Sequence, residues 1–131
     1  MSRLLIVDDE ERIRDIIKKY AQFEGFETVE AVDGLQAVEI CRKESFDLII
    51  MDVMMPRLDG LSAVMKIRER KNIPIIVLSA KSEETDKILG LSMGADDYVA
   101  KPFHPQELAA RVKSQLRRYT MLGDIHAGVS G

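Results

Sequence analysis

The chain alternates short apolar runs with amphipathic stretches, and this alternation occurs five times. An apolar run of this length is too short for a helix and is typical of a strand that is covered on both faces of a parallel sheet. Glu30 interrupts the second run, which indicates a strand at the edge of the sheet. We therefore predict strands over residues 4–7, 28–32, 48–51, 74–78 and 97–100.

Each run is followed by a stretch whose apolar residues recur at the spacing of one helix face. Gly25 is the predicted end of the first helix, and Asp33 with Gln36 has the capping-box spacing at the start of the second. The expected buried sides of these two helices comprise Ile13, Ile16, Ile17, Tyr20 and Ala21 in the first and Leu35, Ala37, Val38 and Cys41 in the second.

Three further helices complete the pattern. The third covers about residues 61–70, and the fourth runs from Ser82 to near Gly94 with few apolar residues, so we expect it to be the least firmly packed. Pro105 suits the first turn of the fifth helix, which continues through Leu116. With right-handed crossovers, this order of elements predicts a doubly wound α/β fold with a five-stranded parallel sheet and five helices.

Composition narrows the possible classes of function. The chain has 131 residues, enough for one domain with a proper core, which we place at residues 1–120. Residues 121–131 are aperiodic and glycine-rich and are predicted to be a linker or the truncated start of another domain. A net charge of -3 argues against binding nucleic acid or an anionic membrane by this segment alone. Cys41 is the single cysteine, so no internal disulfide forms, and we expect it in the core.

No apolar run approaches the length that spans a bilayer, and the amino terminus, MSRLLIVDDEE, is unlike a signal peptide. We therefore expect no membrane partner and a cytoplasmic location.

Polar residues stand at the carboxyl ends of four predicted strands: Asp8 and Asp9, Asp52, Ser79, and Lys101. Because the carboxyl ends of parallel strands share one edge, a strand order of 2-1-3-4-5 places the three aspartates in one crevice. Carboxylates this close repel one another unless a cation lies between them, and Mg²⁺ prefers such oxygen ligands. Each residue alone is an ordinary turn residue, but their convergence indicates a site.

The chemistry expected of this site is phosphoryl transfer. Pro56, Asp59 and Gly60 are turn formers, so the chain bends just after Asp52 and exposes it. A carboxylate can attack phosphorus to form an acyl phosphate, while Mg²⁺ and the ammonium of Lys101 supply positive charge. The Ser79 hydroxyl can contact the phosphoryl group only after transfer, which predicts a conformational switch.

These residues and separations resemble the receiver domain of bacterial two-component response regulators over about residues 3–119. The motifs are the pair Asp8-Asp9 after LLIV, MDVMMPRLDG around Asp52, LSA at Ser79, and DDYVAKPF around Lys101. The resemblance implies a flavodoxin-like (CheY-like) fold and phosphorylation of Asp52 by a sensor histidine kinase. The chain would catalyse its own phosphotransfer and autodephosphorylation, but mainly as a signalling switch.

The resemblance also implies individual roles for site residues. Asp9 and Asp52 match direct Mg²⁺ ligands, Asp8 acts largely through water, and the backbone carbonyl of Met54 completes the set. The remaining roles are phosphate binding by Ser79 and Lys101, a cis Lys101-Pro102 bond, and an aromatic switch at Tyr98.

Two positions depart from the family pattern, Met54 and Lys81. In the family, side chains at these positions tune hydrolysis of the acyl phosphate. Because the apolar side chain of Met54 orients no water, we expect slow autodephosphorylation.

A finer likeness is to the OmpR/PhoB type, whose receivers form homodimers through the fourth helix, fifth strand and fifth helix. DNA binding would then belong to a C-terminal winged-helix domain absent from this chain. The expected ion pairs across the two-fold axis are Lys87 with Glu107, Asp97 with Arg111, and Asp96 with Arg118.

Other readings stay open at this point. A stand-alone phosphorelay receiver would use the same site without a DNA-binding domain. A haloacid-dehalogenase-type phosphatase would have two aspartates separated by one residue, whereas Asp8 and Asp9 are adjacent. An FMN carrier would want a glycine- or hydroxyl-rich phosphate loop after the first strand, where this chain has DDEE.

Overall fold

Five parallel strands form one sheet in the order β2-β1-β3-β4-β5, which confirms the predicted topology. The computed structural model describes residues 2–53, 59–79 and 94–130, with side chains as far as residue 119. The strands are β1 (Arg3–Val7), β2 (Glu27–Ala31), β3 (Leu48–Asp52), β4 (Ile75–Ser79) and β5 (Asp97–Ala100).

β3 is the central strand, and all five of its residues are buried. Ile50 pairs in register with Ile6 of β1 and with Ile76 of β4, so a continuous apolar layer crosses the sheet. β2 lies at the edge, as Glu30 predicted, and the Glu30 carboxylate accepts a hydrogen bond from Arg14. A central strand needs apolar side chains on both faces because helices cover both.

The described residues contain four helices, two on each face of the sheet: α1 (Glu11–Phe23), α2 (Gly34–Lys43), α3 (Gly60–Arg68) and a C-terminal helix (Pro105–Ser130). α1 and the C-terminal helix pack on one face, while α2 and α3 pack on the other. The predicted fourth helix, from Ser82 to near Gly94, falls almost wholly on residues 80–93, which lie outside the described residues.

The predicted end of the first helix and the predicted start of the second are confirmed. Gly25 has a φ of 85° just after α1, a conformation that glycine adopts without strain. Asp33 accepts a hydrogen bond from the Gln36 amide at 2.8 Å, and the Gln36 side chain accepts one from the Val32 amide at 2.8 Å. The two side chains therefore fix the start of α2 reciprocally.

Two expectations about helices were wrong in detail. Leu35 is 39% exposed, because it lies roughly a third of a turn from the centre of the arc that holds buried Ala37, Val38 and Cys41. The helical pattern was expected to stop before residues 121–131, but the C-terminal helix continues to Ser130. The segment contains no proline, and glycine costs a helix only about 1 kcal/mol relative to alanine, so loss of apolar periodicity did not mark the helix end.

Cys41 is 4% exposed, as predicted, and burial raises the pKa of its thiol to about 11. In the part of the chain that the structure covers, no helix has both the length and the apolar character needed to cross a bilayer.

A polar network closes the fold at the edge of the sheet opposite the carboxyl ends. Asp96 accepts hydrogen bonds from Arg68 (2.9 Å), from the Ile75 amide (2.8 Å) and from the Tyr119 hydroxyl (2.9 Å). Arg68 also donates to the carbonyl of Gly94 at 2.7 Å. This Asp96 network joins α3, β4, the segment before β5 and the C-terminal helix.

Candidate functional site

The carboxyl edge of the sheet gathers Asp8, Asp52, Ser79 and Lys101, as the sequence predicts. Asp8 follows β1, Asp52 and Ser79 are the last residues of β3 and β4, and Lys101 follows β5. Asp8, Asp52 and Ser79 are each at most 2% exposed, so the expectation that Asp52 would be exposed was wrong. The apolar strands place three polar groups at the boundary of the core, where a buried polar group needs a partner.

Lys101 is the charged partner of both buried aspartates, Asp8 and Asp52. Its Nζ lies 2.8 Å from Asp8 Oδ2 and 3.5 Å from Asp52 Oδ2. The Lys101 amide donates to the Ser79 carbonyl, which ties the ends of β4 and β5 together. Burial lowers the pKa of Lys101, but the hydrogen bond to Asp8 and the charges of Asp52, Asp8 and Glu10 outweigh it, so the pKa lies above its ordinary value. The ammonium therefore stays charged.

Asp8 is bonded through its side chain and its main chain. Its Oδ1 accepts from the Glu10 amide at 2.9 Å, its amide donates to Ala31 at 3.2 Å, and its carbonyl accepts from Arg14 Nη1 at 2.8 Å. The position of Asp8 is therefore determined by β2, α1 and Lys101 together.

Asp8, Asp9 and Glu10 form the acidic part of the site. One carboxylate oxygen from each lies within 4.8 Å of the others, and Asp9 and Glu10 are exposed while Asp8 is buried. An all-oxygen donor set that is open to solvent on one side suits a hard divalent cation such as Mg²⁺. Glu10 was not predicted as part of the site, although the acidic run DDEE after β1 was the available signal.

Gly60 supports the backbone of Asp52. A Cβ atom at Gly60 would lie 2.0 Å from the Asp52 carbonyl oxygen, so the first residue of α3 must lack a side chain. Asp59 caps α3 by accepting from the Ser62 amide at 2.9 Å. The sequence marked Asp59 and Gly60 as turn formers, but no local signal revealed the close approach of α3 to β3.

Two further predicted features can be placed, and two predicted positions cannot. The Lys101-Pro102 bond is cis, as predicted. Tyr98 is half-buried in β5 and packs against the core on the α2 and α3 face. Met54 and Lys81 lie outside the described residues.

Three of the residues predicted for a dimer interface, Asp97, Glu107 and Arg111, pair within one chain. Arg111 Nη1 lies 2.8 Å from Asp97, and Arg111 Nε lies 3.4 Å from Glu107. The hydrogen bond to Asp97 is the main cause of a raised pKa at Arg111. These intrachain contacts use the groups that were expected to meet across a two-fold axis, so dimerisation would require an exchange of partners.

The other expected pairs are placed differently. Asp96 is engaged by the Asp96 network, and Arg118 is exposed. Lys87 lies outside the described residues. The intermolecular pairs therefore remain predictions.

Comparison with known proteins gives consistent matches. A family model described as "Response regulator receiver domain" matches residues 4–113. The regulatory protein VanRc of Enterococcus gallinarum is 48% identical over 117 residues, which are 89% of this chain and 51% of that protein. The transcriptional regulatory protein SrrA of Staphylococcus aureus (strain NCTC 8325 / PS 47) is 47% identical over 117 residues, with 89% and 48% covered.

Among solved structures, the receiver domain of the Francisella response regulator 1452 superimposes with a TM-score of 0.86 at 38% identity. The match covers 91% of this chain and 99% of that one. This chain spans about half the length of the curated relatives it matches.

Proposed function

This chain belongs to the response regulator receiver domain family, and from that premise we propose that Asp52 accepts a phosphoryl group from a sensor histidine kinase. The observation that carries the proposal is the position of Lys101 Nζ, 2.8 Å from Asp8 and 3.5 Å from Asp52. An ammonium held between two buried carboxylates is placed to attract the oxygens of an incoming phosphoryl group.

In the proposed reaction, a carboxylate oxygen of Asp52 attacks the phosphorus of the kinase phosphohistidine. The O–P bond forms as the N–P bond breaks, and the electron pair of the broken bond stays on the imidazole nitrogen. Lys101 and Ser79 bind the phosphoryl oxygens through an ammonium and a hydroxyl group. Hydrolysis of the acyl phosphate resets the switch, and we expect it to be slow because Met54 is apolar.

Receiver domains generally bind Mg²⁺ at an acidic site, and the Asp8, Asp9 and Glu10 oxygens provide such a site in this chain. We assign Asp9 and Asp52 as direct ligands, Asp8 as a ligand through water, and the Met54 carbonyl as the remaining protein ligand. When bound there, Mg²⁺ would supply positive charge to the phosphoryl oxygens.

The response to phosphorylation is proposed to begin at Ser79. Its hydroxyl moves toward the phosphoryl group, and Tyr98 turns inward into the space that is released. Ser79 and Tyr98 lie on the neighbouring strands β4 and β5. Ser79 of β4 pairs in register with Ala100 of β5, and Val77 of β4 pairs with Tyr98 of β5. A movement at the end of β4 therefore reaches β5 directly.

The output is proposed to be OmpR/PhoB-type transcriptional regulation in the cytoplasm. The name of SrrA as a transcriptional regulatory protein supports this role. A homodimer would form through the predicted fourth helix (about Ser82 to Gly94), β5 and the C-terminal helix. DNA would be bound through a domain outside this chain.

Labelling with acetyl phosphate and Mg²⁺, followed by intact-mass spectrometry, tests the acceptor. Wild type should gain one phosphoryl group and Asp52→Asn should gain none. Asp47→Asn is the matched control, because Asp47 lies just before the opposite end of β3 and accepts from the Arg3 amide at 2.7 Å. Labelling of Asp52→Asn at the wild-type rate would show that Asp52 is not the acceptor.

A further inference from the structure

Arg14 is a largely buried arginine beside the site, and the sequence indicated no role for it. It lies in the first turns of α1, and its side chain is only 12% exposed. Nη1 donates to the Asp8 carbonyl at 2.8 Å, and Nε donates to Glu30 at 3.0 Å. Lys18 also pairs with Glu30, at 3.5 Å, so α1 holds β2 through two cations.

The hydrogen bond from Arg14 to the Asp8 carbonyl also constrains the next residue, Asp9. That carbonyl belongs to the planar peptide unit whose nitrogen is the amide of Asp9, so the orientation of the plane, together with φ of Asp9, sets the direction in which the Asp9 side chain leaves the backbone. β1 ends at Val7, so no strand neighbour continues the ladder to this carbonyl. Among the described residues, Arg14 is the only hydrogen-bond donor to it.

We propose that Arg14 is a positioning residue for metal binding: its guanidinium fixes the Asp8-Asp9 peptide and so aims the Asp9 carboxylate at the cation. The inference rests on the proposed function, because it assigns Asp9 as a ligand. Partners that orient metal ligands in this way commonly change metal affinity by about 10–100-fold when they are removed.

The geometry requires arginine and not merely a positive charge. The planar guanidinium donates from Nη1 to a carbonyl and from Nε to a carboxylate at the same time. A lysine has its N–H donors on one nitrogen and lacks the fixed spacing of Nη1 and Nε, so Arg14→Lys keeps the charge but not the paired geometry. We therefore expect lysine to restore metal affinity only in part.

Arg3 provides a matched control at the opposite end of β1. It also bonds a backbone carbonyl, Ser45 at 3.1 Å, and a glutamate, Glu44 at 2.6 Å. Removing Arg3 should perturb the fold in a similar way without touching the peptide that carries Asp9.

The test measures Mg²⁺ binding directly by isothermal titration calorimetry on wild type, Arg14→Gln, Arg14→Lys and Arg3→Gln, each shown to be folded by circular dichroism. The Kd of Arg14→Gln should rise about 10-fold, that of Arg14→Lys should rise less, and that of Arg3→Gln should stay within about twofold of wild type. The Mg²⁺ concentration that half-saturates acetyl phosphate labelling should shift in the same order.

Wild-type affinity in both Arg14 variants would overturn the inference, as would an equal loss in Arg14→Gln and Arg3→Gln. If Arg14→Gln does not fold, wild-type affinity in Arg14→Lys alone overturns it. Failure of the proposed function is a separate result, because wild type itself would then bind no Mg²⁺ or remain unlabelled.

Discussion

Replacing Lys101 with methionine should destabilise the protein strongly, because two buried carboxylates would lose the cation between them. The side chains of Asp8 and Asp52 are 0% and 3% exposed. At an effective dielectric constant of about 20, the Coulomb attraction is about 6 kcal/mol at 2.8 Å and about 5 kcal/mol at 3.5 Å. Dehydration of the ammonium and repulsion between the carboxylates offset part of this attraction. Removal of one partner from a buried pair typically costs about 3–5 kcal/mol.

Urea unfolding measured without divalent cation is the appropriate assay. Lys101→Met should lower the free energy of unfolding by about 3–5 kcal/mol and the melting temperature by about 10–20 °C. Lys113→Met is the control, because Lys113 lies 2.7 Å from Glu24 but is 49% exposed. An exposed pair contributes less than about 1 kcal/mol. An effect of Lys101→Met no larger than that of Lys113→Met would refute the reasoning.

The pH dependence gives a second check on Lys101. Because the pKa of Lys101 is raised in the folded state, its contribution to stability is present below the unfolded pKa of about 10.4 and is lost as the pH rises through the folded pKa. The difference in stability between wild type and Lys101→Met should therefore narrow in the alkaline range above about pH 10. Added Mg²⁺ should also narrow the difference, because a bound cation stabilises the folded state and supplies the positive charge beside the carboxylates that only Lys101→Met lacks.

Other features of the fold can be tested in the same way. Tyr119→Phe should lower the free energy of unfolding by about 1–2 kcal/mol, because it removes the hydrogen bond to Asp96. Burial and that hydrogen bond raise the pKa of Tyr119, so this loss should disappear as the pH rises past about 10, and the ultraviolet titration of the variant should show one phenolate fewer. Cys41 should react with a thiol reagent at least about 100-fold more slowly in the folded than in the urea-unfolded chain, and equal rates would contradict its burial. Gly60→Ala should cost about 1–3 kcal/mol in urea unfolding and slow Asp52 labelling, since the added carbon meets the Asp52 carbonyl; an unchanged midpoint would show that α3 can shift freely.

Much of this fold could be predicted from sequence because burial on both faces leaves a strong local pattern. β3 is apolar up to Asp52, and the polar residue at its end marks where the strand leaves the core. Parallel topology then brings the ends of distant strands to one edge, so the meeting of Asp8, Asp52 and Lys101 follows from strand order rather than from sequence proximity.

The features that were missed depend on contacts between elements. Arg14 follows the apolar Ile13 on an amphipathic helix, and nothing local indicates that its guanidinium reaches the Asp8 carbonyl. The exposure of Leu35 depends on how α2 is rotated over the sheet. The close approach of Gly60 to β3 likewise depends on the packing of α3. Such contacts are set by tertiary packing, whereas hydrophobic periodicity identifies only which face of a helix is buried.

Only the short strand β5 separates the site around Lys101 from the Asp96 network. Lys101 follows the strand directly and Asp96 precedes it directly, with only four residues between them. At about 3.3 Å per residue, the strand spans roughly 13 Å. A displacement of Lys101 along the strand axis would therefore strain the hydrogen bonds that Asp96 accepts from Arg68 and Tyr119. β5 therefore connects the buried carboxylates to Tyr119 on the C-terminal helix. A movement at the carboxylates could reach any domain attached beyond that helix through this short strand.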